Sequence, residues 1–371
     1  MNKKTSRNPE LDGLRGLAIL AVVVFHVCSD IGTRQLPLGL TVLKKVEQLG
    51  WTGVDLFFVL SGFLITGILL EAKEATNYFK VFYMRRALRI LPIYYAFVIF
   101  IFVTSKTHYP LSSKVWFLLN ISNLITAFYP FLIGPLTHFW TLAVEEQFYL
   151  LWPTVIRYAK TRTLIFICFG GIASSILLRS LPITQSYNSV YDNFIYRWTP
   201  FRVDGLLMGA GVAIAYANRV KIKPIFAYAA FSLGLIGTWL TAYGTGAWTL
   251  GGMSRFGLTF VAIMYTGLLI ISMTNPYWGR VVRLNILRQI GFYSYCMYIV
   301  QPYMLAKVLG WIQFIPITWA NHIVLTHIVL FTACVASSYA IARVSWALLE
   351  HPLLELKKYF VYKKVNVLIA D

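Results

Sequence analysis

The chain alternates long apolar runs with short basic segments. Apolar candidates lie at about 13–31, 51–70, 91–105, 115–133, 138–157, 163–180, 201–217, 224–243, 254–273, 290–309 and 323–349. Each approaches the ~20 residues an α-helix needs to cross a bilayer. Lys/Arg clusters lie at 3–7, 73–89, 157–162, 219–223, 280–288 and 357–364. Positive charge concentrates in cytoplasmic loops, so an even number of crossings is expected between neighbouring clusters. Every interval holds two candidates except 90–156, which holds three. The segment 115–133, with Asn120, Ser122, Asn123 and Pro130 inside it, is the one expected not to cross. It reads as re-entrant or peripheral, with its backbone buried against protein. The predicted fold is an all-α integral membrane protein of about ten transmembrane helices with both termini cytoplasmic. The outer loop 32–50 carries Arg34, Lys44 and Lys45 against this rule.

Composition agrees: 58% of the 371 residues are hydrophobic and 13% charged, against roughly 25% charged in soluble domains. A net charge of +19 raises the question of nucleic acid. The basic residues sit between apolar runs, however, which makes them a topology signal and removes that partner. Cys28, Cys168, Cys296 and Cys334 have no metal-ligand spacing and read as small buried hydrophobes, so no metal is expected. The basic N-terminus precedes a run too long for a signal peptide, so 13–31 is a retained first helix. A single domain over 1–371 is expected, without a soluble appendage. Within it, residues 74–92 (EATNYFKVFYMRRALRILP) interleave aromatic and basic residues as an interfacial helix does. Pro92 would mark the start of the next span.

Against this background, ionisable residues inside apolar runs call for a function or a partner. Arg15 and His26 are eleven residues apart; at ~100° per residue they share a helix face, separated by roughly 16 Å along the axis. Asp12, three residues before Arg15, can pair with it. A lone intramembrane histidine can equally be a neutral imidazole satisfied within the bundle. Asp55 opens the second run and needs a partner. Ser61-Gly62 lies at its mid-depth, where glycine suits helix packing as well as a ligand. The run HFWTLAVEEQFYLLWP holds Glu145, Glu146 and Gln147, with His138 on the Glu145 face. Carboxylates and histidines together suit proton handling, because a carboxylate fixes an imidazole tautomer and makes its other nitrogen a better base. Arg202 and Asp204 read as a structural ion pair, and Glu350 with His351 as a helix-end feature. No phosphate loop, H-E-x-x-H or G-x-S-x-G occurs. The residues alone leave two classes open: an enzyme acting across the bilayer, or a transporter using His26, Asp55 and Glu145 as a proton relay.

The ordered stretches LDGLRGLAILAVVVFH, GVDLFFVLSGFLIT, FYMRRALRILPIYY, HFWTLAVEEQFYLLWP, FRVDGLLMGA, GFYSYCMYIVQPYM and SWALLEHPLLEL resemble the acyltransferase-3 family of bacterial integral membrane acyltransferases. The resemblance spans nearly the full length. It implies transfer of an acyl group, most often acetyl, from cytoplasmic acyl-CoA to a hydroxyl of a cell-envelope glycan or lipid-linked saccharide. The location implied is the bacterial inner membrane. It matches His26 to the family's essential histidine, Arg15 to its partner, and Arg86 and Arg89 to an R-x-x-R motif tied to acyl-CoA. Glu145 falls in the acidic motif and Ser61-Gly62-Phe63 in an S-G-F motif. Gln301 stands where members often carry histidine, so it cannot be a base here. Many members carry a further hydrolase-like domain, and none is expected within these 371 residues.

Physics and resemblance together suggest a division of roles. Arg85, Arg86 and Arg89, with Arg15, handle the CoA donor, since guanidinium suits phosphate. His26 is the general base, oriented by Glu145 or Asp55, while Ser61, Gly62, Arg202 and Asp204 are candidates for substrate contact. No tightly bound cofactor is expected. Oligomeric state is open, and a covalent acyl-enzyme and direct transfer both remain on the table.

Overall fold

The apolar runs fold as helices. In the computed structural model, which describes residues 8–30, 49–105, 111–128, 134–181, 194–243, 253–312 and 323–363, every regular element is helical. The basic cluster at 3–7, most of the 32–50 loop with Arg34, Lys44 and Lys45, and the side chains of Cys28 and Asp30 lie outside the described residues. The chain divides into two compact units, Met1–Phe57 with Leu269–Trp346, and Phe58–Leu268 with Ala347–Asp371.

The first unit is built on α1 (Pro9–Asp30), α11 (Pro276–Val282), α12 (Asn285–Ile312) and α13 (Ile323–Ser345). Its apolar centre joins Val23 and Val27 of α1 to Leu305 and Val308 of α12 and to Leu330 and Cys334 of α13. Small residues allow these backbones to meet: a Cβ on Gly291 of α12 would lie 1.7 Å from the Asp12 carbonyl oxygen. At the start of α1, Arg283 donates to Glu10 through Nε at 2.6 Å and again through Nη2. Before α2 (Gly53–Glu71), a 3₁₀ turn at Leu49–Thr52 lies against α1. Gly50 there approaches the Ala21 carbonyl and Phe25.

The second unit holds most of α2 together with α3 (Tyr78–Thr104), α4 (Leu111–Leu118), α5 (Ser122–Phe128), α6 (Trp140–Tyr158), α7 (Thr161–Ser180), α8 (Val203–Ala217), α9 (Pro224–Tyr243) and α14 (His351–Glu355). Most of α10 (Leu258–Thr274) also belongs to it. The segment expected not to cross is two short helices of 8 and 7 residues. Asn120 breaks them apart at φ 55, a left-handed conformation that asparagine tolerates better than most residues. Bonds from Asn120 N to Phe117 O and from Ile121 N to Trp116 O then close the helix end. Tyr94 and Tyr95 of α3 donate their hydroxyls to the carbonyls of Phe117 and Leu118 at 2.9 and 2.8 Å. Neither half is long enough to span.

The basic segment 74–92 is not a separate element. From Tyr78 it is the first half of a 27-residue helix that runs through Pro92 to Thr104, and the apolar run at 91–105 is its second half. Proline removes one backbone donor but does not end a helix whose neighbours hold it. Tyr78 and Tyr83 donate to the Pro153 and Leu150 carbonyls of α6 at 3.1 and 2.8 Å.

Six described helices are long and apolar enough to cross a membrane: α2, α3, α7, α9, α10 and α13. The chain is a multi-pass membrane protein. The expected spans at α1, α6, α8 and α12 fall outside that set. α1 and α6 each carry acids and an arginine, α8 has only 15 residues, and α12 mixes in Arg288, Gln289, Gln301 and Lys307. Cys168, Cys296 and Cys334 are buried, as expected of small hydrophobes.

Two glycines lock α2 to α8. A Cβ on Gly62 would sit 1.9 Å from the Leu206 carbonyl oxygen, and one on Gly209 2.0 Å from that of Val59. Gly67, further along α2, has nothing within 4 Å. Gly62→Ala and Gly209→Ala should each destabilise the detergent-solubilised protein by about 1–3 kcal/mol, the usual cost of overpacking. Gly67→Ala should leave the midpoint of a thermal unfolding scan unchanged or slightly raised. Equal midpoints for all three would remove the close approach as a determinant of the fold.

Candidate active site

In the second unit, consecutive residues of α2 face different neighbours, as ~100° per residue requires. Ser61 points to α6 and donates its hydroxyl to Glu145 Oε1 at 2.9 Å. Gly62 meets α8, and Phe63 stacks edge-on against Tyr216 of α8 at 6.1 Å. The Tyr149 hydroxyl, one helical turn after Glu145, lies 2.9 Å from Ser61 Oγ and 3.1 Å from Glu145 Oε2. Its single proton serves one of them at a time. Over the Tyr149 ring, 5.9 Å from its centroid, sits the Arg86 guanidinium, close enough to feel the charges of Glu145 and Glu146. Three expected site residues from three helices, Ser61, Glu145 and Arg86, thus meet through Tyr149, which the sequence pattern did not single out. Tyrosine one turn after an intramembrane glutamate was the available signal. Arg85 turns aside and donates from Nε to the Phe360 carbonyl at 2.6 Å.

Beside this group, Gln147, Asn123 and Thr199 close a polar ring. Gln147 Nε2 donates to Asn123 Oδ1 at 3.0 Å, and Asn123 Nδ2 to Thr199 Oγ1 at 3.0 Å. Thr199 in turn donates to Gln147 Oε1. His138 is buried in a 3₁₀ turn, Gly134–Phe139, that precedes α6. The α-helical face relating it to Glu145 is therefore absent.

In the first unit, α1 carries Asp12, Arg15 and His26. Asp12 Oδ1 and Arg15 Nη1 are 3.7 Å apart, the expected pair one turn apart. The imidazole Nδ1 of His26 is 2.9 Å from the Val22 carbonyl. A carbonyl oxygen only accepts, so Nδ1 carries the hydrogen, and in the neutral ring Nε2 is the basic nitrogen. The backbone of α1 fixes the tautomer, at the nitrogen where a carboxylate was expected. Asp55 is 2% exposed in the first turn of α2, where the helix dipole favours a negative charge. Gln301 is fully buried in α12, and its side-chain amide makes no hydrogen bond among the described residues.

A family model described as an acyltransferase domain matches residues 8–343. This chain belongs to the acyltransferase-3 family. It is 30% identical over 322 residues to a protein of Listeria monocytogenes named peptidoglycan O-acetyltransferase OatA, covering 78% of this chain and 48% of that one. It is also 30% identical over 247 residues to O-acetyltransferase OatA of Staphylococcus aureus, covering 62% of this chain and 38% of that one. The chain spans about half or less of the length of the curated relatives it matches. No solved structure matches.

The acyltransferase-3 motif FRVDG does not form the expected ion pair. Asp204 Oδ2 accepts instead from Arg179 Nη2 of α7 at 3.0 Å and from Thr259 Oγ1 at 2.9 Å. Arg179 also donates to the Phe201 and Arg255 carbonyls and to Thr259. Arg202 is buried in a cage of rings, with its guanidinium carbon 4.8 Å from the centroid of Tyr196, 5.4 Å from Trp140 and 5.6 Å from Phe58. Arg202 precedes α8 as its non-helical N-cap residue while Asp204 lies in its first turn, so an adjacent-looking pair faces separate neighbours. Arg179 was visible in the sequence as a charge near the end of an apolar run and went unassigned, although a charge there needs an acid.

Both members of the Arg179–Asp204 pair are essentially unexposed. Asp204→Ala would leave a buried guanidinium uncompensated and should cost about 3–5 kcal/mol. Folded yield after detergent extraction should collapse, whereas an Arg179→Met/Asp204→Leu double variant should recover much of it. A single variant as stable as wild type would show that the pair does not hold this family member's fold.

Proposed function

We propose that this chain is a membrane-embedded O-acyltransferase. In this reading it moves an acyl group, acetyl above all, from cytoplasmic acyl-CoA to a hydroxyl of a cell-envelope glycan. The observation that carries the reading is the His26 ring, whose Nδ1 donates to the Val22 carbonyl. A neutral histidine held in that tautomer offers Nε2 as a general base. His26 takes the proton of the acceptor hydroxyl as its oxygen attacks the thioester carbonyl. The C–S bond then breaks, an oxygen ester forms, and the proton passes to the CoA thiolate. General-base help of this kind is worth roughly 10²–10⁴ in rate.

Arg85, Arg86 and Arg89 receive the donor phosphates. Arg86 ties that duty to Ser61, Glu145 and Tyr149, which contribute a hydroxyl–carboxylate relay held by two helices besides its own. Membership of the family and relatives named as O-acetyltransferases support acyl transfer over transport. The name of the Listeria relative favours a peptidoglycan-class acceptor. A location in the bacterial inner membrane, with ten crossings and cytoplasmic termini, completes the proposal.

His26→Ala should abolish release of free CoA from labelled acetyl-CoA by membranes containing the protein, at unchanged protein level. Normal release by the variant would remove His26 as the base. Arg86→Ala should raise the KM for acetyl-CoA at least tenfold, on the scale of a charge-assisted hydrogen bond, and shift that for the acceptor far less. Absence of any CoA release by wild-type membranes supplied with acceptor would favour the transporter.

A further inference from the structure

The family match ends at residue 343, yet the chain beyond it returns to the arginine helix. After α14, a 3₁₀ turn at Leu356–Tyr359 leads into an extended stretch that is pinned along the start of α3. Asn77 donates from Nδ2 to the Val361 carbonyl at 2.9 Å, and its Oδ1 accepts from Lys363 N at 2.9 Å. Thr76 N donates to the Lys363 carbonyl at 3.1 Å. The Phe360 carbonyl takes the Arg85 Nε hydrogen, and the Arg85 guanidinium also lies 5.6 Å from the centroid of the Tyr362 ring. Five contacts from one short stretch fix its position against α3.

That position has an electrostatic cost. Of two adjacent lysines, Lys358 is exposed with its ammonium over Tyr359. Lys357 is half-buried and lies within Coulombic range of Arg89, Arg86 and Arg85. Like charges repel, and a lysine stem is flexible enough to carry its head into water, as Lys358 does. The tail instead holds the Lys357 amine half-buried near the arginines. The Tyr362 hydroxyl is buried beside these cations and makes no hydrogen bond among the described residues. Burial raises its pKa, against the pull of Arg85 and Arg86, so it stays a donor. Burial, and then the three arginines, lower the Lys357 pKa to about 7, so an arriving anion favours its protonated form. Three guanidiniums, this amine and an unused hydroxyl donor are complementary to a group with several anionic oxygens.

We propose that the tail 356–363 completes a phosphate site with α3, in which Lys357 and Tyr362 join Arg85, Arg86 and Arg89 in binding the phosphates of acyl-CoA. The donor half of this statement rests on the function proposed above; the role of the tail is new. An anionic lipid headgroup offers the same phosphate chemistry, so the test separates the two sources.

Acetyl-CoA binding to the purified full chain in phosphatidylcholine nanodiscs, with and without phosphatidylglycerol, provides the readout. Lys357→Gln should weaken binding about tenfold and Tyr362→Phe about fivefold, on the scale of lost charge-assisted and neutral-donor contacts. Lys357→Arg should bind within about twofold of wild type, since the charge is kept, and Lys358→Gln should match it. Wild-type affinity in Lys357→Gln alongside a loss in Arg86→Gln would overturn the role of the tail and leave the donor site standing. Wild-type protein that binds no acetyl-CoA but retains phosphatidylglycerol in a Lys357-dependent way would overturn both, assigning the phosphate to lipid.

Discussion

A guanidinium inside an apolar bundle has no water to turn to, and the Arg179–Asp204 pair shows what that requires. Arg179 has three carbonyl or hydroxyl partners in addition to the carboxylate. Asp204 in turn is shared with Thr259 and with the Gly205 backbone N–H at 3.1 Å. Each partner belongs to a different stretch of chain, so satisfying one charge aligns α7, the turn before α8, α8 itself and the start of α10. Desolvation makes the net contribution of such a pair small. Its effect is specificity, because a shifted helix would strand a charge. Arg202 answers the same constraint with three aromatic faces, a solution available to a delocalised cation.

The same constraint separates polar groups that hold the fold from those suited to chemistry. Arg179, Arg202 and Asp204 are sealed from solvent. Glu145 and His26 are only partly buried. The Glu145 carboxylate accepts from the Ser61 and Tyr149 hydroxyls, and His26 spends one nitrogen on its own helix. Hydroxyl–carboxylate contacts of this kind can rearrange as protons move, whereas a saturated ion pair cannot without exposing a charge.

Helical class and most element positions were legible because hydrophobic period and length dominate in lipid. The break of the 115–133 segment into two short helices was legible too, since Asn120 and the nearby polar residues interrupt its apolar run. Pair identities were less accessible. Spacing nominated Asp12 with Arg15 correctly, as both lie on one helix, and nominated Arg202 with Asp204 wrongly, because the partner comes from Arg179, 25 residues back in another helix. The span expected to start at Pro92 is instead the second half of one helix that begins at Tyr78. Tyr149 carried only a weak signal, its place one turn after Glu145, and an aromatic-rich span hides that until the hydroxyl is seen between Ser61 and Glu145.

The tail after the last long helix extends this logic to the aqueous edge. Basic residues there had one assignment, topology, and for Lys358 that reading suffices. Lys357 differs from its neighbour in direction alone, and direction is set by backbone: the bonds from Thr76, Asn77 and Arg85 leave the chain one way to lie. A segment that served only to mark the cytoplasmic side would relax by letting both lysines face water. Holding one amine inward, half-buried near three arginines, lowers its proton affinity, and an anion restores it, so the site is poised to bind rather than satisfied in itself.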